Sequence, residues 1–377
     1  MPLGPPHTID TRALDNALSQ APDRPAVFLI HVREGAPYLG RTALLRRRLR
    51  RLLSERSAPT RVLNLRGIAE RIDYWPTGSR LESSLVQYDL AARHFPEAYL
   101  DLLKLRMPPY VKLLLSNPYP RTQVTTKLGG GASRYYGPFR SRASAELFEQ
   151  SVLELFQVRR CTEDLEPFPQ HPGCIYGEMN LCLRPCQLAV SAEEYRSEAM
   201  RFAAFFETGG RSLMEPLESA RNRFSDQMDF EAAARIHKRL EKVEQVVKLR
   251  DDLVCDVERL NGVAITAAAE GGAVELWFMR QGVWLDPARF GFEAPEGRAV
   301  SMDHRLREIA GSLDSPRSTV RERQEHLALL ARWYYSRWRD GDWLAFSSSG
   351  EPPYRRMVRA IGRVMALKPP AFPATSV

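Results

Sequence analysis

At 377 residues, 44% hydrophobic and 27% charged, the chain is long enough for two or three cores and excludes the disordered and fibrous classes. It has no run of about 18 apolar residues, so no membrane span is expected, and the opening MPLGPPHTID lacks a secretory signal pattern, which implies a reducing cytoplasm. Lys and Arg outnumber Asp and Glu by 54 to 46, and the net charge of +8 points to a polyanionic partner.

Residues 1–24 read as a polar, loosely ordered lead-in. Ala26–Ile30 is a buried strand, Glu34-Gly35 a turn, and Pro37–Gly40 a short second strand, together a hairpin. The spacing of Leu44, Leu45, Leu49, Leu52 and Leu53 predicts a helix over about 42–54 with arginines on its outer face. Residues 41–66 hold nine arginines (Arg41, Arg46, Arg47, Arg48, Arg50, Arg51, Arg56, Arg61, Arg66) against one acid, Glu55. Arginine grips phosphate with a two-pronged fork, so Arg46, Arg47, Arg48, Arg50 and Arg51 are the expected contacts to a nucleic-acid backbone; the alternative is a solvated helix face. A strand near 69–74 and a helix over about 81–93 complete a small α/β unit at residues 25–104.

Residues 105–190 start strand-like, with 109–115 and 122–127 flanking a Ser-Asn-Pro turn, then run through Tyr135-Tyr136-Gly137-Pro138-Phe139 to a helix over about 144–156. Next comes CTEDLEPFPQHPGCIYGEMNLCLRPC, where Cys161, Cys174, Cys182 and Cys186 are spaced C-x12-C-x7-C-x3-C. Such thiolates read as an irregular loop around a soft metal. An iron–sulfur cluster accepts uneven spacing, zinc usually brings a C-x2-C knuckle that is absent here, and ordinary buried thiols stay open. Disulfides would need an oxidising compartment.

Residues 191–252 are helical, broken at Gly209-Gly210, with a hairpin over 213–250. Ile236, Leu240, Val243 and Val247 form one apolar stripe in its second arm. Residues 253–377 read as a small α+β region, with strands at 262–267, 273–279 and 282–285 and an aromatic-rich helix over about 319–339. The fold class expected is multidomain α+β.

Several segments resemble known families. Ala26-Val27-Phe28 and Tyr38-Leu39-Gly40, followed by an arginine-bearing helix, resemble the signature of the GIY-YIG nucleases. The resemblance implies that Tyr38 is the catalytic tyrosine, that Arg48 neutralises phosphate, that Arg41 stands where a lysine is common, and that a later helix holds Mg²⁺ or Mn²⁺. The departures are Phe28 for the first tyrosine, Gln87 for the metal-binding glutamate and Tyr99 for an asparagine. Glu82 and Asp89 sit roughly 140° and 160° around the helix from Gln87, so neither replaces the carboxylate. The centre is expected to be impaired, the alternative being a slow single-incision enzyme.

The order YYGPF, LFQVRRC, CIYGEMNLCLRPC, EEYR is similar to the UvrC family of bacterial nucleotide excision repair. That resemblance implies a [4Fe-4S] cluster on the four cysteines. DFEAAARIHKRLEKVEQVV resembles the UVR motif, implying association with UvrB through Phe230, Ala233, Ile236, Leu240 and Val243. The family's RNase H-like and helix-hairpin-helix domains are not expected before Val377. A third expectation is a non-catalytic iron–sulfur DNA-binding regulator.

Overall fold

The computed structural model describes residues 4–11, 14–55, 63–291, 301–314, 317–347 and 350–366. The chain is α+β and divides into two compact units, residues 1–106 with 261–317 and 332–377, and residues 107–260 with 318–331.

The first unit opens with β1 (His7–Asp10), α1 (Leu14–Gln20), β2 (Ala26–Val32), β3 (Tyr38–Thr42), α2 (Leu45–Leu53), β4 (Ala69–Pro76), α3 (Arg80–His94) and α4 (Tyr99–Leu103). The antiparallel sheet runs β1-β4-β2-β3, with Ile30 opposite Tyr38 and Phe28 opposite Gly40. Strand residues alternate between faces, so the two faces take different helices. Phe28 and Ile30 pack with Leu45, Leu49, Leu52 and Leu53 of α2, while Val27 packs with Val86 and Leu90 of α3. The expected lead-in forms a strand at residues 7–10 and a helix at residues 14–20. Ile9 of β1 and Leu14 and Leu18 of α1 bury in the α2-side core, an apolar signal of only three residues within a polar stretch. Helix α2 starts at Leu45, later than expected, because Thr42 still pairs with Ala26 and its Oγ1 accepts from the Leu44 N–H at 3.2 Å. Leu44 is therefore exposed rather than inward.

The second unit contains β5 (Tyr110–Leu114), β6 (Arg121–Thr125), β7 (Arg134–Gly137), α5 (Arg142–Leu153), α6 (Ile175–Glu178), α7 (Ala192–Thr208), α8 (Arg211–Asp226), α9 (Phe230–Lys248) and β8 (Cys255–Asp256), with sheet order β6-β5-β7-β8. Ser141 and Ser191 begin α5 and α7 with reciprocal caps from Ser144 and Glu194, and Gly209, at φ 63°, closes α7. Val111, Tyr136, Phe148, Phe202 and Phe206 form the core, and Leu240, Val243 and Val246 of α9 join it.

The chain continues in the first unit with β9 (Gly262–Ala267), β10 (Ala273–Arg280), β11 (Val283–Trp284), β12 (Ala288–Gly291) and α10 (Met302–Gly311). Helix α11 (Val320–Tyr334) counts with the second unit up to Ala331; β13 (Asp342–Ala345) and α12 (Tyr354–Ala366) follow in the first. The sheet runs β11-β10-β9-β13 with β12 also on β10, and α12 lays Met357, Ala360, Ile361 and Val364 into its core. Helix α11 ends five residues before the expected Arg339. Asp340 takes hydrogen bonds from Trp333 Nε1 at 3.0 Å and from the Arg80 N–H at 2.6 Å, turning the chain back.

Candidate functional site

Tyr38 and Arg48 meet. The β2–β3 register puts Tyr38 on the α2 face, and the buried leucine stripe of α2 turns Arg48 toward it. Arg48 Nη2 donates to the Tyr38 hydroxyl at 3.2 Å, and the Tyr38 ring lies 6.1 Å from that of Phe28. Phe28 is fully buried against Gly40, where a Cβ would come within 2.5 Å of its ring. The missing hydroxyl at position 28 is thus replaced by packing. No carboxylate among the described residues pairs with Arg48.

The other expected members lie apart from this pair. Gln87 is half-buried on α3, which covers the opposite face of the sheet. Arg41 alternates onto that face too; burial, then the charges of Arg332 and Arg80, lower its pKa. Glu82 accepts from the Gly78 N–H at 2.6 Å, just before the helix, while the Ser79 hydroxyl caps the helix by accepting from the Glu82 N–H. Burial raises the Glu82 pKa to about 8 despite that bond. Asp89 is bound to Arg93 Nη2 at 2.7 Å. Tyr99 is buried against Tyr88 at 6.0 Å, a core aromatic. Among the described residues, no three His, Cys, Asp or Glu donors are placed to hold a metal ion.

The arginines of α2 divide by task. Arg47, Arg50 and Arg51 are exposed, whereas Arg46 Nε donates to the Ala21 carbonyl at 2.6 Å and Arg48 holds Tyr38. Arg66 is tied to Asp15 at 2.7 Å and Glu55 at 3.3 Å. Arg56 and Arg61 lie outside the described residues.

The cysteine loop is irregular apart from α6 and a 3-10 turn at Pro185–Gln187. Cys182 and Cys186 are buried, Cys161 is half-buried and Cys174 exposed. Burial, opposed by the Arg184 N–H and reinforced by the charges of the other three thiols, raises the Cys182 pKa to about 11. The four sulfurs therefore share one neighbourhood, though they are not drawn to ligand spacing. Thiols are soft donors and by that chemistry suit a soft metal.

Sequence reasoning missed Arg159, almost fully buried beside Cys161. Its Nε donates to the Tyr119 carbonyl at 2.9 Å, and its Nη1 to the Glu163 carbonyl at 2.9 Å and to Cys161 Sγ at 3.3 Å. Its N–H donates to the Tyr195 hydroxyl at 2.7 Å. The one signal was a doubled arginine directly before the first cysteine.

In the hairpin, the residues expected to face a partner separate into two groups. Leu240 and Val243 are buried in the second unit's own core and Ile236 packs against it, which corrects their placement on a partner face. The stripe's period was right, but α5, α7 and α8 already cover it. Phe230 and Met228 at the turn are exposed, at 66% and 79%, and Ala233 is half-buried.

Residues 109–205, which carry the YYGPF box and the cysteine loop, match the family model of the UvrC/Cho excinuclease middle domain. The match lies within the second unit of an α+β chain. Its relatives include the UvrABC system protein C of Lachnospira eligens, 27% identical over 76% of this chain and 48% of that protein. The protein of the same name from Moorella thermoacetica is 27% identical over 87% of this chain and 54% of its own length. That from Caldanaerobacter subterraneus is 25% identical over 71% and 44%. The chain is thus similar to UvrC proteins over most of its length, and spans about half the length of the curated relatives it matches. No solved structure matches it. No helix among the described residues is long and apolar enough to cross a membrane.

Proposed function

We propose that the chain is a DNA-binding component of nucleotide excision repair, acting beside UvrB, whose own phosphodiesterase centre is impaired. The observation that carries this is the Tyr38–Arg48 couple standing without a carboxylate. Arg48 can neutralise a phosphate, and Tyr38 can orient a water, but a hard divalent cation needs an anionic ligand that Gln87 does not supply. Glu82 and Asp89 are engaged by the Gly78 N–H and by Arg93. DNA would be held through Arg47, Arg50 and Arg51, and UvrB would meet the hairpin at its exposed Phe230 end. The relatives' name, UvrABC system protein C, supports the setting.

The four cysteines would hold a [4Fe-4S] cluster, or zinc, whose contribution is to pin a loop with little apolar content of its own. Iron, acid-labile sulfide and zinc content of protein purified without oxygen decides between them; a Cys182→Ser variant should lose whichever is bound.

One observation favours a second reading, an active single-incision Mg²⁺ enzyme: the Tyr38–Arg48 bond is intact. Nicking of a damaged duplex with UvrA, UvrB, ATP and Mg²⁺ tests both. The impaired-centre reading expects stable DNA and UvrB binding without a nick. A nick lost in Tyr38→Phe establishes the second.

A further inference from the structure

A cleft of about 700 Å³ lies between α10 and α12, lined by Asp303, Arg307, Tyr354, Arg355, Arg356 and Arg359. At about 100° per residue, Arg355, Arg356, Arg359 and Arg363 fall within one arc of about 100° on α12. Met357, Ala360, Ile361 and Val364 fall on the other side, and all four are buried. The basic arc faces solvent: Arg355, Arg356, Arg359 and Arg363 are exposed. Helix α12 contains no acid. Of the acids nearby, Asp303 Oδ2 accepts from Arg307 Nε at 2.8 Å and Asp342 Oδ2 from Arg363 Nη2 at 2.8 Å, while Glu351 acts on Arg307 by its charge. Arg307 also stacks on the Tyr354 ring at 4.3 Å, which fixes the cleft's floor. Among the described residues, Arg355, Arg356 and Arg359 pair with no carboxylate.

We propose that this cleft is a second DNA-backbone site, in which Arg355, Arg356 and Arg359 grip phosphates of one strand. It rests on the reading of the chain as a DNA-binding protein. From Arg355 to Arg363, α12 advances about 12 Å, over which one strand of B-DNA presents three or four phosphates. Guanidiniums suit phosphate oxygens through paired N–H donors. A lipid surface fits worse, because the apolar side of α12 is spent inside its own core and has nothing to insert into a bilayer.

The test uses the full chain and a fluorescein-labelled duplex, with Kd measured between about 50 and 200 mM salt. Three proteins are compared with the wild type: Arg355→Gln/Arg356→Gln/Arg359→Gln, the same positions changed to Lys, and Arg47→Gln/Arg50→Gln on α2. The glutamine triple should weaken binding and flatten the slope of log Kd on log salt by about one for each phosphate no longer gripped, two to three in all. The lysine triple should keep most of the slope, and matching thermal midpoints show that the fold is intact. An unchanged slope in the glutamine triple, with the α2 variant still weakened, overturns the cleft and leaves the DNA-binding reading standing. Wild-type protein that does not bind DNA overturns both. Sedimentation with vesicles containing anionic phospholipid, lost in the glutamine triple while the DNA slope holds, assigns the cleft to lipid and overturns the proposal.

Discussion

Gly40 and Phe28 show how closely single residues are bound to their neighbours around the Tyr38–Arg48 couple. Because a Cβ at position 40 would meet the Phe28 ring at 2.5 Å, Gly40→Ala should destabilise the protein by about 1–3 kcal/mol, read by denaturant unfolding, and Phe28→Leu in the same chain should recover part of it. No recovery would mean that Gly40 is needed for its backbone rather than for the space. Glu82 gives a pH signature. Its carboxyl titrates near pH 8 when folded and near 4.5 when unfolded, so the folded state binds the extra proton between those values. Stability from this group is therefore present at low pH and lost as pH rises from about 4.5 through 8. Glu82→Gln keeps an acceptor for Gly78 and should reduce the fall in thermal midpoint across that window; an identical fall in both proteins would place the effect elsewhere. The two positions differ in legibility. Tyr38 and Arg48 were readable from a motif and a leucine period, whereas the burial of Glu82 depends on packing that no local pattern encodes.

Among the elements, the α8–α9 hairpin is where pattern and packing part. The period in α9 foretold the helix and its apolar stripe, but a stripe records only that something covers it. In this chain α5, α7 and α8 do so. Leu240→Ala should thus cost about 2–5 kcal/mol of stability, while Phe230→Ala should change stability by no more than about 0.5 kcal/mol and weaken UvrB binding in a pull-down or titration. If Phe230→Ala binds UvrB as well as wild type, the exposed turn is not the contact. Strand β1 and helix α1 escaped the sequence reading because one buried residue in four and two in seven carry too little period to stand out from a polar lead-in. Arg159 escaped for another reason. Its partners are the Tyr119 and Glu163 carbonyls and Cys161, two of them backbone atoms that leave no trace in composition. Removing it leaves buried acceptors unpaired, so Arg159→Leu should cost about 1–3 kcal/mol or more.

Over the whole molecule, the surplus of positive charge was readable at once, but its distribution was not. The α2 run looked like a uniform basic face, yet Arg46, Arg48 and Arg66 have internal partners, while Arg47 and Arg50 are exposed. The first unit, in turn, gathers segments from both ends of the sequence, so β9–β13 and α12 share a unit with the Tyr38–Arg48 couple, which chain order alone would not suggest. The central proposal is that this chain grips DNA while its Tyr38–Arg48 couple stands without a metal carboxylate. The most direct measurement is Mg²⁺-dependent nicking of a site-specifically damaged duplex with UvrA, UvrB and ATP, run beside DNA and UvrB binding on the same preparation. The account predicts binding with no nick. A UvrB-dependent nick that disappears in Tyr38→Phe would contradict it and show that the Tyr38–Arg48 couple works without such a carboxylate.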